Sequence, residues 1–215
     1  MSQNTSSAVM QQRSEPHDSL DDFPTQPWAT RALCRHVIAD HYLHMQTVWE
    51  PACNRGHMAL PLAESFEKVL ASDIFPYGYG VQGDFLIPGI VPWDDDLSVD
   101  WIITNPPFRL AEQFIARALE IATVGVAMIV RTSFLEGIGR YENLFSKNPP
   151  SIVAQFSERV PMVKGRLTAT GSTATSYCWL VWQIGATGTK LVWIPPCRKK
   201  LERADDYAAY REVAA

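Results

Sequence analysis

Thr47-Val-Trp-Glu50 is followed by Pro51-Ala-Cys53-Asn-Arg-Gly56, and after a further stretch comes Val69-Leu-Ala-Ser-Asp73. Thr47–Glu50 is a short β-branched and aromatic run, the composition of a strand. Pro51, Asn54 and Gly56 are turn residues. The chain from Gly56 to about Phe66 is expected to be helical, and Val69–Asp73 is a second apolar run. Strand, turn, helix and strand in that order make a βαβ unit, whose two strands are parallel.

The same alternation continues outward. Before the unit, Ala32, Leu33, His36, Val37 and Leu43 suggest one helix from Trp28 to about Met45. After it come a short strand over Val81–Phe85, a strand over Val99–Thr104 and a helix over Leu110–Ala122 with Phe114, Ile115, Ala118, Leu119 and Ala122 at helical spacing. Val124–Val130 is apolar almost throughout, the pattern of a strand covered on both faces. A short helix near Tyr141–Phe145 and a strand over Ile152–Phe156 follow. Tyr177–Ile184 and Lys190–Ile194 read as paired strands around Gly185-Ala-Thr-Gly188. The expected fold class is α/β, a single domain built on a doubly wound, mostly parallel sheet with an antiparallel strand near its C-terminal edge. Residues 1–22, rich in Ser, Gln and Asp, are expected to be a disordered tail. Residues 23–197 are expected to form the domain, and residues 198–215 a surface helix.

In such a sheet ligands bind outside the carboxyl ends of the strands. Glu50 and Pro51, Asp73, Asp84 and Asn105 each stand at the end of an expected strand, so four polar groups converge on one rim. No apolar run approaches the roughly 20 residues that span a bilayer. With no signal-peptide pattern at the N-terminus, no membrane is expected and cytoplasmic residence is the default. Four cysteines without a CxxC pair argue against a disulfide framework. His36, His41 and His44 lack zinc spacing, and no metal is expected. Net charge is −4, but it is unevenly spread. Residues 1–100 hold 5 Lys/Arg and 14 Asp/Glu, and residues 101–215 hold 14 and 9. The basic half could face phosphates.

Asn105-Pro106-Pro107-Phe108 directly follows an apolar strand. An aromatic amine is a poor nucleophile because its lone pair is delocalised. Two oxygens set against its N–H bonds would localise that pair and accept developing positive charge. The Asn105 side chain offers one oxygen and the Pro106 carbonyl the other. Consecutive prolines stiffen the loop, and Phe108 offers a flat face for a base that has left its stack. The turn ending at Gly56 opens a helix and allows close backbone approach. Asp73 sits near the spacing at which an acid accepts ribose hydroxyls. Asp84 could accept from an adenine amino group, with Phe85 covering that ring.

Together these motifs resemble the class I, Rossmann-like, S-adenosylmethionine-dependent methyltransferases. They are most similar to the N6-adenine DNA methyltransferases. Glu50–Gly56 resembles the cofactor motif of that family and Asn105–Phe108 its catalytic motif. Phe23-Pro-Thr-Gln-Pro-Trp28 resembles a cofactor-covering segment, although Gln26 stands where many relatives have proline. The motif order resembles the γ arrangement, and Arg131–Gly137 with Arg140 resembles small phage and prophage enzymes. The resemblance implies S-adenosylmethionine as cofactor. Its binding set would be Thr25, Trp28, Glu50, Pro51, Ala52, Cys53, Gly56, Asp73, Ile74, Asp84, Phe85 and Asn105. Within it Glu50, Ala52 and Cys53 would line the methionine side, Asp73 would hold the ribose, and Thr25 and Trp28 would close over the cofactor. Asn105, Pro106, Pro107 and Phe108 would hold the target base.

No separate recognition domain of the kind larger relatives carry is evident. Sequence selection would fall to loops or to a partner. Residues 157–176 are the candidate loop, and Arg131, Arg140, Arg159, Lys164 and Arg166 are the candidate nucleic-acid contacts. DNA is the expected partner. RNA amino groups, a protein glutamine amide, and a catalytically inactive S-adenosylmethionine-binding module are the alternatives.

Overall fold

A computed structural model describes residues 21–88, 98–171 and 173–207. Eight strands form one sheet: β1 (Thr47–Glu50), β2 (Lys68–Asp73), β3 (Val81–Gln82), β4 (Trp101–Thr104), β5 (Gly125–Arg131), β6 (Ile152–Phe156), β7 (Tyr177–Gln183) and β8 (Lys190–Ile194). Their order across the sheet is β3-β2-β1-β4-β5-β7-β6-β8. Only β7 runs against the rest, antiparallel to β5 on one side and β6 on the other. This is the doubly wound α/β sheet expected from the sequence.

The central strands are apolar on both faces because both faces are covered. Trp101, Ile103, Ala127, Ile129, Trp179 and Val181 enter one core cluster. Their immediate neighbours Ile102, Val126, Met128, Leu180 and Trp182 enter the other, as the two-residue strand period requires. Gly125 starts β5 without a side chain because a Cβ there would lie 2.5 Å from the Trp101 ring. The Trp101 indole N–H donates to Gln46 Oε1 at 2.9 Å and fixes that ring.

The helices are shorter than the sequence suggested. α1 (Pro27–Leu33) has Pro27 at its first position, where a missing N–H costs nothing. It continues as a π-helical turn over Cys34–Ile38 and stops at Ala39, which is left-handed with φ 46°. Asp40 Oδ1 then accepts from Tyr42 N at 2.9 Å, and only a 3₁₀ turn over Leu43–Met45 remains of the expected C-terminal half. α2 is reduced to Ala59–Leu62, because Pro61 has no N–H to give to the preceding turn. α3 (Ala111–Ile121) buries Phe114, Ile115 and Ala118 and matches its expected face. α4 (Ile138–Arg140) is a single turn that runs into a π-helical turn over Tyr141–Phe145.

Two further expectations need correcting. β7 and β8 are not a hairpin: β6 lies between them, and β8 pairs with it in parallel. The linker crosses the start of β6, where Lys190 N donates to Ser151 O and the Thr189 hydroxyl to Pro150 O. The C-terminal segment is not one helix within the described residues. α5 (Arg198–Leu201) ends at Glu202, whose backbone is extended. Arg31 takes the Leu201 carbonyl at 2.8 Å and both Asp206 oxygens, so that carbonyl is spent before a second turn can form. Most of the expected tail, residues 1–20, and the end of the expected helix, residues 208–215, lie outside the described residues. Among those described, no helix is long and apolar enough to cross a membrane, and no group of three or more His, Cys, Asp or Glu could hold a metal ion.

Candidate active site

A cleft of about 160 Å³ opens at the carboxyl rim of β1, β2 and β4. Thr25, Glu50, Pro51, Ala52, Cys53, Asp73, Ile74, Asp84, Phe85, Asn105 and Pro107 all line it, so residues far apart in sequence meet as the strand ends suggested. Phe23 and Pro24 of the expected covering segment, Asn54 of the Glu50–Gly56 turn and Phe114 of α3 also line it, and Asp21, His57, Met58, Tyr77, Leu86 and Leu110, which no sequence motif marked, complete the wall.

The floor is acidic. Glu50 is 2% exposed, and its Oε2 has no hydrogen-bond partner. Burial pushes the Glu50 carboxyl well above its ordinary value, and Asp73 adds to the effect. Asp73 is also raised, by burial first, against the pull of backbone N–H groups. Its Oδ2 accepts from Asn54 N and its Oδ1 from Phe75 N, both at 2.9 Å. Asp84 Oδ1 accepts from Leu86 N in a turn. The Thr25 hydroxyl is buried without a partner. His57 is held neutral, its value lowered to about 3 by burial and then by Arg55. Burial raises the Cys53 thiol, which is inert as a nucleophile. Such a floor suits a ligand that brings positive charge and several donors.

The Asn105 corner adjoins this floor. Asn105 Nδ2 donates to the Phe23 carbonyl at 2.8 Å. A carbonyl can only accept, so the amide nitrogen must face Phe23 and the oxygen must turn elsewhere. That oxygen, Oδ1, is buried and has no partner. Pro106 is buried, and the Pro107 carbonyl accepts from Leu110 N at 2.9 Å to close the turn into α3.

A strap of three residues, Asp21, Asp22 and Phe23, lies across both parts. Asp21 Oδ2 accepts from Phe108 N at 2.8 Å. Asp22 pairs with Arg55 and accepts from Asn54 Nδ2 at 2.7 Å, while its carbonyl accepts from Gly165 N. Gln26 secures the strap from behind. Its Nε2 donates to Pro161 O at 2.7 Å and Thr168 O at 3.2 Å, and its Oε1 accepts from Tyr207. A glutamine here supplies three tethers that proline could not.

Several expected site residues lie elsewhere. Trp28 is fully buried and meets Phe156 edge-on at 5.7 Å. It is part of the core and does not close over the cleft, because α1 begins at Pro27 and turns Trp28 inward. Gly56 does not line the cleft. Its φ is +84°, and a Cβ would lie 2.8 Å from the Tyr79 ring, so the glycine serves that packing. Phe85 touches the cleft from within an aromatic cluster with Trp49 and Phe114. Phe108 does not line the cleft, and its ring is covered by Phe23 and by the Arg131 guanidinium. Arg140 is spent within the fold: it pairs with Glu112, lies over Phe134 and donates to the Phe134 and Glu136 carbonyls. Arg131, Arg159, Lys164 and Arg166 are exposed.

No protein-family model matches the chain, and no curated protein sequence matches it. Solved structures do match in fold. A chain assigned as the modification subunit of a type I restriction enzyme from Vibrio vulnificus YJ016 superposes with a TM-score of 0.59 at 14% identity, over 94% of this chain and 54% of its own. The type I restriction-modification methyltransferase subunit from Streptococcus thermophilus gives 0.56 at 10% identity, over 89% and 52%. A chain assigned as an RNA methyltransferase from Pyrococcus horikoshii gives 0.56 at 15% identity, over 79% and 91%. This chain spans about half the length of the two restriction-system subunits. It has the Rossmann-like α/β fold of these methyltransferases.

Proposed function

We propose that the chain is an S-adenosylmethionine-dependent methyltransferase acting on the exocyclic N6 amino group of adenine in nucleic acid, DNA first. The observation that carries this reading is the Asn105 side chain: its nitrogen is committed to Phe23, and its oxygen is buried and unpartnered beside an acidic cleft. A buried acceptor left open in the fold costs free energy unless a ligand donor meets it.

The cleft fits the cofactor on its own chemistry. Glu50 Oε2 and the Thr25 hydroxyl are orphaned inside it, and the Glu50 and Asp73 carboxylates lack a cation there. The ammonium and ribose hydroxyls of S-adenosylmethionine supply the missing donors, with Glu50 toward the amino-acid end and Asp73 toward the ribose. Asp84 stands where an adenine amino group can be held, and Pro51, Ala52 and Cys53 line the wall. When bound, the cofactor supplies an electrophilic methyl group on a sulfonium.

The remaining work belongs to this chain. Asn105 Oδ1 accepts one N–H of the amine and the Pro106 carbonyl the other, localising the nitrogen lone pair and carrying the charge that develops on nitrogen. The proline pair fixes both oxygens in advance, so little reorganisation remains when the amine arrives. The half-buried strap covers the corner.

Restriction-system modification subunits among the fold relatives favour DNA, and their greater length favours a further chain or domain that supplies sequence selection. The relative assigned as an RNA methyltransferase makes RNA the second reading. The test is incubation with labelled cofactor and a panel of duplex DNA, single-stranded DNA and structured RNA, followed by nucleoside analysis. Labelled N6-methyladenine in DNA is expected. Label in RNA alone moves the substrate to RNA, and label in no nucleic acid ends the proposal.

A further inference from the structure

The ring read above as a platform for the target base is covered in this conformation. The Arg131 guanidinium carbon lies 3.9 Å from the Phe108 ring centroid, and the Phe23 ring is 5.4 Å away at 44°. Arg131 closes β5, the strand beside β4, so it reaches the same rim as Asn105.

Its electrostatic situation differs from that of six other arginines of the fold. Arg31, Arg55, Arg117, Arg140, Arg198 and Arg203 each pair with a carboxylate. Arg131 and Arg159 form no ion pair among the described residues. Arg131 rests on Phe108. Arg159 donates to the Ala174 carbonyl at 3.0 Å and to the Ser176 hydroxyl. Ser176 belongs to two adjoining grooves, one with Arg131, Thr132, Ser133 and Thr175, the other with Arg159. The nearby Glu158 carboxylate is engaged by the backbone N–H groups of Cys197 and Arg198, and Asp21 by that of Phe108. Two guanidinium groups with no ion pair among the described residues stand on two adjoining grooves that share Ser176, the second also lined by the backbone-engaged Glu158, and together they match an anion with several oxygens.

We propose that Arg131 is a gate that admits only acceptors carrying a phosphodiester. Without substrate its guanidinium rests on Phe108. A phosphate of the entering strand, seated between Arg131 and Arg159, draws the guanidinium off the ring and uncovers that face for the target base. The exchange is favourable because a forked, charge-assisted contact with phosphate is stronger than the cation–π contact of a solvent-exposed guanidinium. A free nucleoside brings no phosphate and leaves the gate shut. The inference rests on the reading of Phe108 as the base platform.

The test compares methyl transfer from labelled cofactor to a pool of random-sequence single-stranded oligodeoxynucleotides and to deoxyadenosine, using the full chain, R131A and R159Q. The wild type is expected to favour the oligonucleotide strongly. R131A should lower kcat/KM for the oligonucleotide about tenfold and raise that for the nucleoside. It should also reduce the slope of log affinity against log salt by about one phosphate contact. R159Q should weaken oligonucleotide binding without helping the nucleoside. If R131A leaves the ratio of the two activities unaltered, undetectable nucleoside turnover in both proteins included, or leaves the salt slope as it was, the gate is wrong while the methyltransferase reading stands. If the wild type transfers methyl to no nucleic acid, the reading itself fails.

Discussion

The cleft floor and the acceptor rim are built on opposite principles. The floor is deep, acidic and preformed: Glu50 and Asp73 are buried, and backbone N–H groups from two turns hold Asp73 in place. The rim is shallow and basic, and its own side chains occupy it, with Arg131 and Phe23 on Phe108. A floor of this kind binds with little rearrangement, whereas the rim must exchange internal contacts for external ones. Asn105 belongs to both regions, lining the floor while its amide is aimed by the strap.

Variants should separate the two regions. The largest effect is expected from N105A, which removes the buried acceptor. Turnover should fall about 10²- to 10³-fold, while cofactor affinity measured by calorimetry stays at the wild-type value. Loss of cofactor binding in N105A would merge the regions and defeat the comparison. D73A comes next. It deletes the floor acceptor and strands the N–H groups of Asn54 and Phe75, each worth about 1–3 kcal/mol when left unpaired. Cofactor Kd should rise about ten- to a hundredfold, and the urea midpoint should drop.

Glu50 gives a subtler, pH-dependent effect. Burial raises its folded value above the unfolded one, so the folded protein holds this proton more firmly than the unfolded chain does. The contribution to stability is complete below the unfolded carboxyl value and is lost as pH rises through the higher folded value. E50Q should therefore melt above the wild type at pH 8, and the gap should close on acidification. A gap independent of pH would mean that Glu50 is not desolvated. The smallest change is expected from R140A. Arg140 is committed to Glu112 and two carbonyls, so its loss should lower stability by about 1 kcal/mol and leave nucleic-acid affinity and its salt slope untouched. A shallower slope would return Arg140 to the rim.

The sequence made the floor more legible than the rim, for a physical reason. Glu50, Asp73 and Asn105 end apolar strands, and a strand's end projects its next residue onto the rim whatever the rest of the chain does. The strap carries no such local signal. Asp21 and Phe23 meet Phe108 and Asn105 across 87 and 82 residues of sequence, and nothing in their neighbourhood announces the contact. Trp28 misled because its phase depends on where α1 begins, which Pro27 decides. The expected hairpin of β7 and β8 rested on turn residues, and Gly185 and Gly188 are indeed left-handed at the linker. Turn chemistry reports a reversal of direction but not which strand lies between. Arg140 read as a free cation because its carboxylate partner, Glu112, is on α3, 28 residues earlier.

The reversal of β7 has a consequence for how this architecture can change. Because β6 runs toward the rim and β7 runs away from it, Phe156 and Tyr177 both stand at the active edge, and everything between them is a detour that leaves and re-enters the sheet on one side. Its length is uncoupled from strand register. Residues inserted around Gly165, where a Cβ would meet nothing within 4 Å, leave the sheet partners of β6 and β7 in place, although they break the Val163–Arg166 bridge and the bond from Gly165 N to the Asp22 carbonyl. A module grafted there would start beside the active edge and extend outward, while the sheet beneath it kept its register.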